Sequence, residues 1–160
     1  MSLTVLTVDD SNDDTLLLRR ACQRAKVKFS LKAVDDGTKA IAYLSGLDDF
    51  SDRARHPLPN LVLLDLKMPI KTGFEVLDWL RSQPQFKTLP VAVFTASQHD
   101  ADVRNAYRKG ANCFLIKPVE YEDLVVLAEA LDKALERQQG FDEPFRGLKA
   151  YKPEPRADDE

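Results

Sequence analysis

The chain has 160 residues, 44% hydrophobic and 31% charged, with a net charge of −3. That is the size and balance of one globular domain with its own core and room for a short tail. The charge gives no reason to expect nucleic-acid binding through bulk electrostatics, and no apolar run approaches the ~20 residues of a membrane span.

The chain alternates strand-like and helix-like segments, which predicts an α/β fold with a parallel sheet covered on both faces. Leu3 to Val8 is a continuous apolar run of strand length that closes on Asp9-Asp10. Ser11-Asn12-Asp13-Asp14 then has the spacing of a helix start, and Leu17, Leu18, Ala21 and Ala25 are placed on the inner face of helix 1. Phe29 to Val34 reads as strand 2, Asp35-Asp36-Gly37 as a turn, and helix 2 is expected to carry Ala40, Ile41, Leu44 and Leu47 inward.

Residues 48–59 form an unusually long connection, since such loops in α/β units are ordinarily ~2–6 residues. Strand 3 runs from Asn60 into Asp65. Thr72-Gly73-Phe74-Glu75 has capping-box spacing and opens helix 3, with Leu77 and Leu80 inward. Pro90 leads into strand 4, Val91 to Phe94, which ends at Thr95-Ala96-Ser97. A short helix 4 over 99–109 stops at Gly110. Strand 5, Cys113 to Ile116, closes on Lys117-Pro118 and is followed by helix 5 over 121–138, with Leu124, Leu127, Leu131 and Leu135 in register. The predicted organisation is a domain over 1–138 and a tail or dimerisation arm over 139–160, which carries Phe141, Phe145 and Tyr151.

Only Cys22 and Cys113 are present, read as reduced, half-buried thiols. With the first strand starting at about residue 3, no signal peptide is expected and the protein is placed in the cytoplasm. His56 and His99 are read as surface residues.

A buried parallel strand is apolar along its length, so a charge waits for its end, and ligands of open α/β sheets bind at the carboxyl ends of the strands. Those ends here carry Asp9-Asp10, Asp65, Thr95 and Lys117. If strands 1 and 3 are neighbours, three carboxylates share one crevice. Two unit charges ~4 Å apart repel by about 4 kcal/mol at an effective dielectric of 20, so the cluster calls for a cation, and all-oxygen ligands favour Mg²⁺. Each residue alone has a plainer reading: Asp9-Asp10 as a helix cap, Asp65 as a turn residue, Thr95 as a strand-end hydroxyl, Lys117 as a surface lysine, Phe114 as core. Their joint occurrence at strand ends 1, 3, 4 and 5 favours a site for a metal and a phosphoryl group.

With these residues in this order the chain resembles the receiver domain of two-component response regulators over residues 2–138. The match rests on the acidic pair after strand 1, on Asp65-Leu66-Lys67-Met68-Pro69 with Gly73 beyond, on Phe94-Thr95-Ala96, and on Lys117-Pro118. The resemblance implies a flavodoxin-like (βα)5 doubly wound sheet with strand order 2-1-3-4-5. It implies Asp65 as the acceptor of a phosphoryl group from the phosphohistidine of a sensor histidine kinase. Asp10 would bind Mg²⁺ directly and Asp9 through water, with Asp65 and the backbone carbonyl of Lys67 completing the protein ligands. Lys117 would neutralise phosphoryl oxygens, with its following proline bond usually cis. Thr95 would bond the transferred group and draw the switch residue Phe114 inward, while the side chains of Lys67 and Ser97 overhang the site and tune attack by water. Such a protein is not an enzyme beyond its own phosphorylation and dephosphorylation.

The 47–59 segment, followed by Asn60-Leu61, and the stand-alone layout resemble more narrowly the small response regulators that partner bacterial and cyanobacterial phytochromes. That implies a homodimer through helix 4, strand 5, helix 5 and the tail, with Val125, Val126 and Ala128 extending apolar surface beyond the core stripe of helix 5; alternatively the sheet covers this wider face. Other readings fit less well. A haloacid-dehalogenase phosphatase wants an acid where Lys67 stands, three acids would repel the phosphate of a flavodoxin-type flavin, and a DNA-binding regulator would need an effector domain after residue 138. A phosphorelay intermediate, or a degenerate receiver acting only as a binding module, is the alternative role.

Overall fold

Five parallel strands form one sheet in the order β2-β1-β3-β4-β5, in a computed structural model that describes residues 3–137. The expected tail, with Phe141, Phe145 and Tyr151, lies outside the described residues. The elements are β1 (Thr4–Val8), α1 (Asn12–Ala25), β2 (Ser30–Val34), α2 (Gly37–Ser45), β3 (Leu61–Leu64), α3 (Gly73–Ser82), β4 (Val91–Thr95), α4 (Asp100–Arg108), β5 (Cys113–Ile116) and α5 (Tyr121–Arg137). The doubly wound flavodoxin-like architecture and strand order are those expected.

Alternation along the central strands divides the core in two. Leu6, Val8, Val62, Leu64, Val93 and Phe114 pack with residues of α2, α3 and α4. Val5, Leu61, Leu63, Ala92, Phe94 and Leu115 pack with α1 and α5 on the other face. Every residue of β1, β3 and β4 is buried, and apart from Thr4, Thr7 and Thr95 they are apolar; β2 is an edge strand and buries only Val34. β1 runs in register with β3 from Val5 opposite Leu61 to Val8 opposite Leu64, which brings the residues after Val8 and Leu64 side by side. Asn60 fixes that register, accepting from the Thr4 amide through Oδ1 (2.9 Å) and donating its own amide to the Thr4 carbonyl (2.8 Å).

Both expected caps form: Ser11 Oγ accepts from the Asp14 amide at 3.2 Å and Thr72 Oγ1 from the Glu75 amide at 3.3 Å. The phase of two helices differs from expectation. In α1 the buried residues are Leu18, Ala21 and Cys22, whereas Leu17 is exposed. In α2, Tyr43 takes the inward position, Ile41 is half-buried and Leu47 is exposed, because the helix stops at Gly46 in the left-handed conformation. α5 buries Val125 and Ala128 as well as its leucine stripe, since it packs on α1 as well as the sheet; of the extra apolar surface expected there only Val126, 51% exposed, remains. The long connection is tied down rather than loose. Arg53 donates to the Tyr43, Leu44 and His56 carbonyls, and Tyr43 donates to the Pro57 carbonyl at 2.8 Å. His56, expected on the surface, is half-buried and stacks edge-on against Tyr43 and Phe50.

Candidate functional site

The strand ends meet as the sequence order suggests. β1 ends at Val8 and delivers Asp9, 4% exposed, then the exposed Asp10; β3 ends at Leu64 and delivers the buried Asp65. Carboxylate oxygens of Asp9, Asp10 and Asp65 all lie within 4.8 Å of one another. The Asp65 amide donates to the Val8 carbonyl at 3.0 Å, and the Lys117 amide to the Thr95 carbonyl at 2.8 Å, so backbone pairing continues past the strands to the site. The sharp return after Asp65 needs Gly73: its amide bonds the Leu66 carbonyl at 3.0 Å, and a Cβ there would collide with the Asp65 backbone.

Lys117 enters from β5 and reaches three carboxylates: Asp9 at 2.6 Å, Asp14 at 2.8 Å and Asp65 at 3.3 Å. Burial works against its charge, but the hydrogen bonds to Asp14 and Asp9 and the charge of Asp65 outweigh it and hold the ammonium above the usual lysine range. Burial pushes the Asp9 carboxyl up, against the hydrogen bonds from Lys117 and the Ser11 amide. Four carboxylates against one ammonium leave three negative charges in surplus. The donor set is all oxygen and its carboxylates outnumber their one ammonium partner, which fits a hard divalent cation.

On the opposite side Thr95, 1% exposed, and Ser97, 8% exposed, line a cleft of about 520 Å³ with Asp65, Lys67, His99 and Lys117. Lys67 is exposed at its rim. Ser97 does not simply overhang the cleft: its hydroxyl donates to Asp102 at the start of α4, at 2.6 Å. Phe114 is fully buried among the core residues on the α4 side of the sheet. Among the described residues no peptide bond is cis, so Lys117–Pro118 is trans where the resemblance implied cis; the trans form of such a bond is favoured by about 0.5–1 kcal/mol.

Sequence reasoning missed Asp14. Its spacing from Ser11 marked it as part of a helix start, and nothing local could pair it with a lysine 103 residues away.

This arrangement is matched by a family. The response regulator receiver domain family covers residues 5–129, and the chain belongs to it. Among its relatives is Response regulator Rcp1 of Synechocystis sp., 33% identical over 128 residues that cover 80% of this chain and 85% of that protein. Among solved structures it resembles the phosphorylated cyanobacterial phytochrome response regulator RcpA, with a TM-score of 0.78 and 27% identity over 87% of this chain and 97% of that one. It also resembles the Mn²⁺-bound form of Rcp1, with a TM-score of 0.72 and 28% identity over 96% of this chain and 99% of that one. The chain is thus a receiver-domain response regulator related to phytochrome-associated Rcp1. Receiver domains are not enzymes in the usual sense; they partner with histidine kinases and bind Mg²⁺ at an acidic pocket, and in this chain Asp9, Asp10 and Asp65 form an acidic group that could hold a metal ion. No described helix is long and apolar enough to cross a membrane.

Proposed function

We propose that this response regulator takes a phosphoryl group on Asp65 from the phosphohistidine of a sensor histidine kinase, a bacterial phytochrome being the partner its relatives suggest. The observation that carries the reading is the joint approach of Lys117 to Asp65 and of Asp9 and Asp10 to the same carboxylate. Asp9, Asp10, Asp65 and the Lys67 backbone carbonyl would hold Mg²⁺, which when bound supplies positive charge for the transferred oxygens. In the transfer an Asp65 oxygen forms a bond to phosphorus as the phosphorus–nitrogen bond breaks, and the imidazole leaves with the electron pair. Lys117 neutralises the equatorial oxygens, and the work of the site is positioning and charge stabilisation.

The product adds roughly −1.5 to −2 charges if it resembles other phosphorylated side chains. Thr95, at the end of β4, bonds the new group, and Phe114 follows it through the α4 side of the core. Lys67 and Ser97 set the access of water. Output passes by protein–protein contact in the cytoplasm, from a receiver domain over 1–138 whose residues 139–160 serve as an arm. A homodimer through α4, β5 and α5 is supported by the exposed Val126 beside a groove of about 330 Å³ that Leu115, Ile116 and Leu127 also line.

The test is incubation with acetyl phosphate and Mg²⁺, followed by mass analysis of the intact chain. One acid-stable, base-labile phosphoryl group should appear, and Asp65→Asn should abolish it. Full labelling of Asp65→Asn would exclude the assignment.

A further inference from the structure

We infer that Asp14 is a positioning residue for Lys117: a carboxylate outside the cation cluster that keeps the ammonium over Asp65 when its other partners are engaged. The inference rests on Asp65 being the phosphoacceptor. An ammonium has three donors, and here each faces a different carboxylate, on Asp9, Asp14 and Asp65. Asp9 and Asp65 also belong to the group of acids that could hold a cation, whereas Asp14 does not. A cation drawn to that group competes with Lys117 for Asp9, and phosphorylation turns one carboxylate oxygen of Asp65 into the bridging oxygen of an acyl phosphate. Asp14 is the one partner that neither event claims.

The burial is lopsided in a way that suits this role. The Lys117 side chain is 13% exposed and depends on its partners, while Asp14 is 43% exposed and keeps water without the lysine. Asp14 is itself fixed from below. Its amide donates to Ser11 Oγ at 3.2 Å, and the Ser11 amide donates to Asp9 Oδ1 at 2.9 Å, so the first turn of α1 is keyed to the acid pair. Lysine carries a point charge on a flexible four-carbon stem, and among the described residues Asp14 is the α1 carboxylate that pairs with it.

The experiment follows labelling of Asp65 by acetyl phosphate and Mg²⁺, in which the Asp65 oxygen bonds phosphorus and acetate leaves with the electron pair. Asp14→Ala removes the acceptor; Asp14→Asn keeps an acceptor and removes the charge. Asp14→Ala should label about 10-fold more slowly, a loss of the size of one charge-assisted hydrogen bond. Asp14→Asn should recover most of that loss. Both should bind Mg²⁺ within about threefold of wild type by calorimetry on the unphosphorylated chain, because Asp14 is no ligand. In a Lys117→Ala background Asp14→Ala should add no further loss.

Labelling of Asp14→Ala at the wild-type rate would overturn the inference while leaving the phosphoacceptor reading intact. Faster labelling in both variants would overturn it too, making Asp14 only a surplus negative charge. Equal slowing in both with weakened Mg²⁺ binding would reject it in favour of an effect through the cation. Wild type that labels elsewhere than Asp65 would remove the reading on which it rests.

Discussion

Replacing Gly73 by alanine tests whether the turn after Asp65 is as tightly set as the structure shows. The added Cβ would run into the carbonyl oxygen of Asp65 and stand 2.8 Å from Leu66 Cα and 2.9 Å from Asp65 C, all backbone atoms that cannot rotate away. Either α3 retreats at its first turn or the Asp65 peptide moves. Overpacking of this kind costs about 1–3 kcal/mol, and loss of the Gly73 amide bond to the Leu66 carbonyl about 1 more. Alanine returns up to ~1 kcal/mol as a better helix former, so the net loss is about 1–4 kcal/mol. For a domain of this size that lowers the melting temperature by roughly 2–16 °C. A displacement of ~1 Å at a reacting group can also cost ~10²-fold in rate, so labelling by acetyl phosphate should fall steeply at temperatures where the variant is folded. Gly46→Ala is the control. At φ +68° the nearest atoms to its Cβ are those of the flexible Arg53 guanidinium, so the loss should be ~1–2 kcal/mol with labelling intact. A Gly73→Ala protein with wild-type urea midpoint and labelling rate would refute the argument.

Ile70 is a β-branched residue at φ +68° and 94% exposed, so it carries left-handed strain of ~1–2 kcal/mol with no burial in return. Ile70→Gly should add ~0.5–1 kcal/mol of stability after the entropy cost of glycine, read as a higher urea midpoint; a lower midpoint would show that Ile70 makes contacts that matter to the fold. Burial pushes the Cys22 thiol up to about 11. At pH 8 about one molecule in a thousand then carries the thiolate, against about one in ten at the ordinary value, so iodoacetamide should label Cys22 roughly 100-fold more slowly in the native chain than in urea. Raising the pH from 8 to 10 should speed native labelling about 100-fold, and equal rates in native and unfolded protein would contradict the burial.

The sequence by itself determined the strands and the chemistry at their ends. β1, β3 and β4 are buried on both faces, so they carry no charge along their length and their acids must wait for the rim; that pattern is visible without coordinates. The caps at Ser11 and Thr72 are local hydrogen bonds and were legible for the same reason. The helix faces were less so, because periodicity gives a stripe but packing sets its phase. Leu17 and Leu47 fit an apolar face as well as Cys22 and Tyr43 do, and only the neighbouring elements decide which turn inward. The same holds for α5, where α1 covers Val125 and Ala128 that the sequence left open to a partner. Long-range polar pairings lay wholly with the tertiary structure: Asn60 clamping Thr4, and Asp14 given to Lys117. A hydrogen bond depends on a few tenths of an ångström between groups that the chain brings together only when the sheet closes, and no spacing along the sequence encodes that distance.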